Sequence, residues 1–172
     1  NVWTPAADKG GITTTGWDVA YGKDGAGAGL WIAVGQGGYI AKSTDGNIWT
    51  PAADKGGITD YGLGVAYGKD GNGAGLWVAV GLGGLIAKST DGNVWTPAAT
   101  NTDGSKGGIT SLGFGVAYGT DATGVGLWVA VGGGEIIAKS TDGNVWTPAA
   151  GSATDKGGIT YGRGVAFKNE IL

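Results

Sequence analysis

Apolar residues fall along this chain in short runs separated by glycine and polar residues. In 64–97 the order is GVAY, a Gly-rich polar segment (68–75, GKDGNGAG), LWVAV at 76–80, GLGG at 81–84, LIAK at 85–88, STDGN, then VWT at 94–96 ahead of Pro97. Each run is rich in β-branched or aromatic residues and is too short for a helix. No stretch keeps a 3.6-residue period between helix caps. The pattern predicts an all-β chain with four short strands per unit. The two middle runs are apolar at successive positions, so both faces of those strands are covered, as in sheets stacked face to face.

The spacers predict the connections. GLGG reads as a tight hairpin link, with Gly supplying positive φ. Asp91-Gly92 reads as a type I′ hairpin turn. The 68–75 loop is longer and polar. The loop following Pro97 differs in length from its counterparts, which places it at the surface.

The phrase recurs at Leu30, Leu76 and Leu127. Counting from the Asn before each Val/Ile-Trp-Thr-Pro gives units 1–46, 47–92 and 93–143 and a partial unit 144–172, within a single repeat domain 1–172. Their near-identity implies recent duplication or consensus design. Four antiparallel strands per unit of ~40–50 residues is the pattern of a propeller blade. The expected fold is an all-β β-propeller of four-stranded antiparallel blades, about three and a half per chain. GVAY is innermost, its Gly64 and Ala66 small enough for a crowded axis, and VWT is outermost. A lone outer run at 1–7 and a lone inner run at 164–167 flank the full units. Propellers close with about four to eight blades, so the ends predict exposed sheet faces. The expectation is self-association into a shared ring of seven or eight sectors, a homodimer favoured. A longer chain or an open stack are the alternatives.

Composition removes several function classes. Glycine supplies 40 of 172 residues but without a strict triplet and with only 4 Pro, so the chain is not collagen-like. Net charge is −3, and the lysines are spread singly along the chain, with Arg163 the sole arginine. That predicts no nucleic-acid partner. No apolar run has the length of a membrane span and no signal peptide is visible, so no membrane insertion is expected. Cys, His and Met are absent. Disulfides, thiolate or imidazole metal sites and Ser-His or Cys-His nucleophiles cannot be built, and no cofactor is expected. The lack of Cys fits an extracellular or surface-displayed location. The missing Met implies processing, a fragment, or a sequence not taken from a whole gene.

The segments Ser43-Thr44-Asp45-Gly46-Asn47-Ile48-Trp49, Ser89 to Trp95 and Ser140 to Trp146 resemble the Asp-boxes of BNR-repeat, sialidase-like propellers, in a variant with Gly directly after Asp and Trp one residue early. The wider phrase resembles uncharacterised bacterial and viral members of that group. The resemblance implies a propeller with each box between the third and fourth strands of a blade. Ser43, Asp45, Trp49, Ser89, Asp91, Trp95, Ser140, Asp142 and Trp146 are then structural: the carboxylate accepts nearby backbone N–H groups and the indole packs beneath the turn. It also brings sialidase chemistry into view, which uses an arginine cluster, a Tyr–Glu nucleophile pair and an Asp acid. One arginine and two glutamates, Glu135 and Glu170, do not supply that set.

Other glycosidases need two carboxylates across a cleft, and the aspartates here sit in repeated turns: Asp45, Asp91 and Asp142, and Asp24, Asp70 and Asp121. The latter loops are the best calcium candidates, but each concentrates too few oxygen ligands, so no metal site is expected. Trp31, Trp77 and Trp128 are expected in the core. Trp17 shares its repeat position with Leu63, Phe114 and Arg163, and is the candidate exposed ring for stacking on a sugar. The leading functional expectation is a non-catalytic structural or interaction propeller. A multivalent glycan-binding lectin with sites between blades is the alternative, and an inactive sialidase-like glycosidase relic the third.

Overall fold

A computed structural model describes residues 4–102, 104–149 and 162–166. Among them twelve strands make three four-stranded antiparallel sheets, and no helix forms. The first sheet holds β1 (Gly16–Lys23), β2 (Gly29–Gly35), β3 (Ile40–Ser43) and β4 (Thr50–Pro51). The second holds β5 (Gly62–Lys69), β6 (Gly75–Gly81), β7 (Ile86–Ser89) and β8 (Thr96–Pro97). The third holds β9 (Gly113–Thr120), β10 (Gly126–Gly132), β11 (Ile137–Ser140) and β12 (Thr147–Pro148). Every sheet is a meander in chain order. Registers repeat too: Tyr21 faces Trp31, Tyr67 faces Trp77 and Tyr118 faces Trp128, with ring centroids 4.7, 4.9 and 4.9 Å apart.

Two local expectations are corrected. The outermost strand is only two residues, Thr96–Pro97 in the second sheet, not VWT ended by Pro97. The Val94 N–H is donated to Asp91 Oδ1 and is lost to a ladder, while the proline sits at an edge, where its missing donor costs nothing. Nor is the Asp-Gly turn of type I′, which needs positive φ at both central residues. Gly92 has φ +72°, but Glu135 is the one non-glycine with positive φ among the described residues. Side chains, not a mirror-image backbone turn, close this corner.

The sheets stack through two apolar interfaces. In one, Leu30, Ile32, Val34 and Ile40 of the first sheet meet Val65, Trp77, Ala79 and Trp95 of the second. In the other, Leu76, Val78, Val80 and Ile86 of the second meet Val116, Trp128, Ala130 and Trp146 of the third. The same positions are used each time, so each sheet has one face built to receive and one built to insert. Inner strands lie side by side, β1 against β5 and β5 against β9. Glycine makes that approach feasible: a Cβ on Gly64 would stand 3.0 Å from the Gly115 Cα, and one on Gly22 would collide with the Tyr67 ring. Residues 162–166 run along the far side of β9, where a Cβ on Gly115 would lie 3.1 Å from the Gly164 Cα. They are not in a ladder; Phe167 of the expected fourth inner run lies outside the described residues, as do 1–3 of the expected first outer run. The stack does not close into a ring.

Its two ends differ from its middle. Trp77 and Trp128 are fully buried, but Trp31 is 37% exposed, against the expectation that all three are core. Trp77 Nε1 donates to the Lys23 carbonyl and Trp128 Nε1 to the Lys69 carbonyl, both at 2.8 Å and both in the preceding sheet. Among the described residues no sheet precedes the first.

Candidate functional site

Between its third and fourth strands each sheet repeats one turn, Ser-Thr-Asp-Gly-Asn, then Ile or Val and Trp. In the second sheet the Ser89 hydroxyl donates to Asp91 Oδ1 and accepts from the Gly92 N–H, both at 2.9 Å. Asp91 Oδ1 also accepts the N–H groups of Asn93 and Val94 at 2.8 and 2.9 Å. Trp95 Nε1 donates to the Gly92 carbonyl at 3.1 Å. The first sheet repeats these bonds with Ser43, Asp45 and Trp49, the third with Ser140, Asp142 and Trp146. Trp95 and Trp146 are buried beneath their turns, while Trp49, at the open end, is half-buried.

Electrostatics follow from these bonds. Asp45 is held below the ordinary carboxyl range by the N–H groups of Ile48 and Asn47 and then by the Ser43 hydroxyl. For Asp91 and Asp142 burial pushes upward most strongly, but the N–H groups of Val94 and Asn93, or Val145 and Asn144, and the serine hydroxyl together outweigh it. A carboxyl tuned this way stays ionised, the reverse of what a general acid requires.

Each turn borders a cavity. Leu30, Lys42, Thr44, Asp45, Ile48 and Thr50 line the first, about 370 Å³, with Asp24 and, from the neighbouring sheet's turn, Asp91. Leu76, Lys88, Thr90, Asp91, Val94 and Thr96 line the second, about 230 Å³. Asp121, Leu127, Lys139, Thr141, Asp142 and Val145 line the third, about 430 Å³. Lys42, Lys88 and Lys139 form no ion pair among the described residues. The turn bonds all land on Oδ1 of each aspartate, leaving Oδ2 for other donors. Each cavity thus sets one ammonium and threonine hydroxyls over an apolar floor, with three aspartates in the first, one in the second and two in the third.

The sequence pointed to the turn residues but not to the lysine, the first threonine or the leucine that complete these walls. Their signal was available: Lys-Ser-Thr-Asp recurs verbatim in each unit. Another overlooked residue is the asparagine of the turn. Asn47, Asn93 and Asn144 hold the backbone N–H groups of Ala7, Ala53 and Ala99, each in the segment that leads into the first strand of the same sheet.

Remaining candidates lie elsewhere. Trp17, at a bulge in β1, is 51% exposed, and Val19, Tyr21 and Trp31 of the first sheet are exposed as well. Asp24, Asp70 and Asp121 each close the β1–β2 type of hairpin by accepting two loop N–H groups on Oδ1. A bond from the Thr123 hydroxyl, before those of two backbone N–H groups, lowers the pKa of Asp121. No three acidic groups converge as a metal site would require among the described residues. Arg163 is exposed, Glu135 sits in the β10–β11 link, and Glu170 lies outside the described residues. No helix among the described residues is long and apolar enough to cross a membrane.

No protein-family model and no curated sequence matches the chain. Among solved structures, a fucose lectin from Kordia zhangzhouensis in complex with methyl-fucoside aligns with a TM-score of 0.47 at 15% identity, over 78% of this chain and 99% of that one.

Proposed function

We propose that the chain is a sector of a β-propeller of the Asp-box kind that works by binding, not by catalysis. It serves as a rigid interaction scaffold outside the cell or on a displayed surface. The observation that carries this reading is the repeated interface: three meander sheets stack in one sense, with their inner strands adjacent and identical positions inserted each time. Such a stack fans around the inner strands when extended, which is how propeller blades are arranged. The turn aspartates support the non-catalytic half, since their bonds are spent on the backbone and their pKa values move away from those of an acid catalyst. Class averages from electron microscopy test the scaffold: a toroid with a central channel is expected, and a rod-like helical stack contradicts it.

A second reading, glycan binding, is favoured by the three cavities. Hydroxyl-rich ligands suit a carboxylate and an ammonium that fix orientation above an apolar floor that takes a sugar's C–H face. Affinity per cavity is weak and the gain comes from multiplicity. A glycan array, followed by titration of Lys88→Ala and Thr90→Ala, tests it: loss of binding in proportion to the cavities altered supports the reading, and a blank array or unchanged binding contradicts it.

A further inference from the structure

We propose that the exposed face of the first sheet is an interface for a second copy of this chain, seated by the far face of that copy's third sheet. This rests on reading the chain as a propeller sector and names the sector's partner.

The structure contains the interface twice already. Val65, Tyr67 and Trp77 of the second sheet, and Val116, Tyr118 and Trp128 of the third, are the repeat equivalents of Val19, Tyr21 and Trp31. Val65 is 4% exposed and Val116 6%, whereas Val19 is 51% exposed; Trp77 and Trp128 are fully buried, whereas Trp31 is 37% exposed. The side chains are the same and only their cover is missing. What covers the internal copies is the row Leu30, Ile32 and Val34, or Leu76, Val78 and Val80. The third sheet carries that row again as Leu127, Val129 and Val131, and leaves Leu127 and Val129 half-buried. Each copy therefore presents one inserting face and one receiving face that match by sequence.

The polar contact repeats as well. Trp77 and Trp128 give their indole N–H to the carbonyls of Lys23 and Lys69 at the ends of β1 and β5. The equivalent residue at the end of β9 is Thr120. On docking, the indole N–H of Trp31 donates to the Thr120 carbonyl of the second copy.

Residues 162–166 of that copy stand in the way. They lie on β9 with the inner-strand sequence Gly-Arg-Gly-Val-Ala, where an incoming β1 would sit, and a cavity of about 180 Å³ remains between Val165, Ala166 and the third sheet. The incoming sheet brings Trp31 and Ala33 as well as β1, covers Leu127 and Val129, and displaces this segment. The described residues of each copy supply three sheets, and of the multiples of three only about six falls in the four-to-eight range of closed propellers. The contact made twice then gives a two-copy ring, not the seven or eight sectors expected from sequence.

Native mass spectrometry and sedimentation of the full chain from micromolar to millimolar concentration test this. A concentration-dependent dimer is expected. Trp31→Asp and Leu127→Asp should each stay monomeric, while an equimolar mixture should pair, because one intact face of each variant meets the other. Val165→Asp, which loosens the competing segment, should tighten the dimer. Trp31→Asp changes a partly exposed residue and leaves each internal interface intact; its folded state is checked by circular dichroism, so the result stands even where Leu127→Asp unfolds. A wild-type chain that stays monomeric throughout, or a Trp31→Asp variant that dimerises as the wild type does, overturns the interface. A monomeric chain would show no toroid either, but the two internal interfaces and the glycan test stay free to succeed or fail independently of both results.

Discussion

A single carboxylate oxygen organises each corner of this molecule. Asp91 Oδ1 accepts from two backbone N–H groups and the Ser89 hydroxyl, and removing it leaves those donors to find water. Asp91→Ala is expected to cost about 1–2 kcal/mol in urea unfolding. The lowered carboxyl pKa values of Asp91 and Asp142 set a pH dependence. A depressed native pKa means that the unfolded chain binds the proton more readily. The contribution is therefore complete above the unfolded value of about 3.9 and is lost as pH falls through the native one. The urea midpoint should fall on acidification below about pH 4, and less steeply in Asp91→Asn. Glu135 is a second point of interest, with φ +63° where the first two copies carry Gly38 and Gly84 at +64° and +67°. Glu135→Gly should stabilise the chain by roughly 0.5–1 kcal/mol through relief of that backbone strain. At this scale the sequence was informative about the serine, aspartate and tryptophan of the turn, because their recurrence marks them as structural. It misled about the backbone: Asp-Gly suggested type I′, but a serine two residues earlier satisfies the corner through side chains and leaves the aspartate in an ordinary conformation.

Elements are held less by their own ladders than by what stacks on them. The fourth strands pair over two residues each, so the indole beneath the turn, not the ladder, fastens that edge. Trp95→Ala should cost about 3–5 kcal/mol, and Trp49→Ala, at the half-covered end, less than half as much, by denaturant titration. The inner strands depend on close approach. Gly68→Ala directs a methyl into the Tyr118 ring and should destabilise by about 1–3 kcal/mol. Gly83→Ala, in a link where a Cβ meets only the Leu85 side chain at 4.0 Å, carries the positive-φ penalty alone. Comparing the two separates packing from conformation. The strand order and the apolar middle strands were legible from run length and the absence of alternation. Strand ends were not, since Val94 could join either a ladder or a turn and only the aspartate upstream decided between them.

At the scale of the whole molecule, identical side chains meet unlike surroundings. Trp31 and Trp77 sit in nearly the same local sequence, and position in the stack alone makes one an exposed ring and the other core. That is why sequence reasoning placed all three tryptophans of this set inside: burial across sheets is a property of neighbours, not of the local phrase. The exposure of Trp17 has the same origin, for Leu63 and Phe114 occupy its position in the covered copies and are half-buried. The repeat did make the stacking of like sheets legible, and the exposed apolar faces at the ends of the stack underlie the proposed two-copy assembly.

Each successive sheet inserts its aromatic face into the sheet before it. Hydrogen exchange of the indole N–H groups, followed by NMR on tryptophan-labelled protein, reads this directly. Trp77 and Trp128, each bonded to a carbonyl of the sheet before, should exchange orders of magnitude more slowly than free tryptophan. Exchange of both at the free rate would contradict the stack.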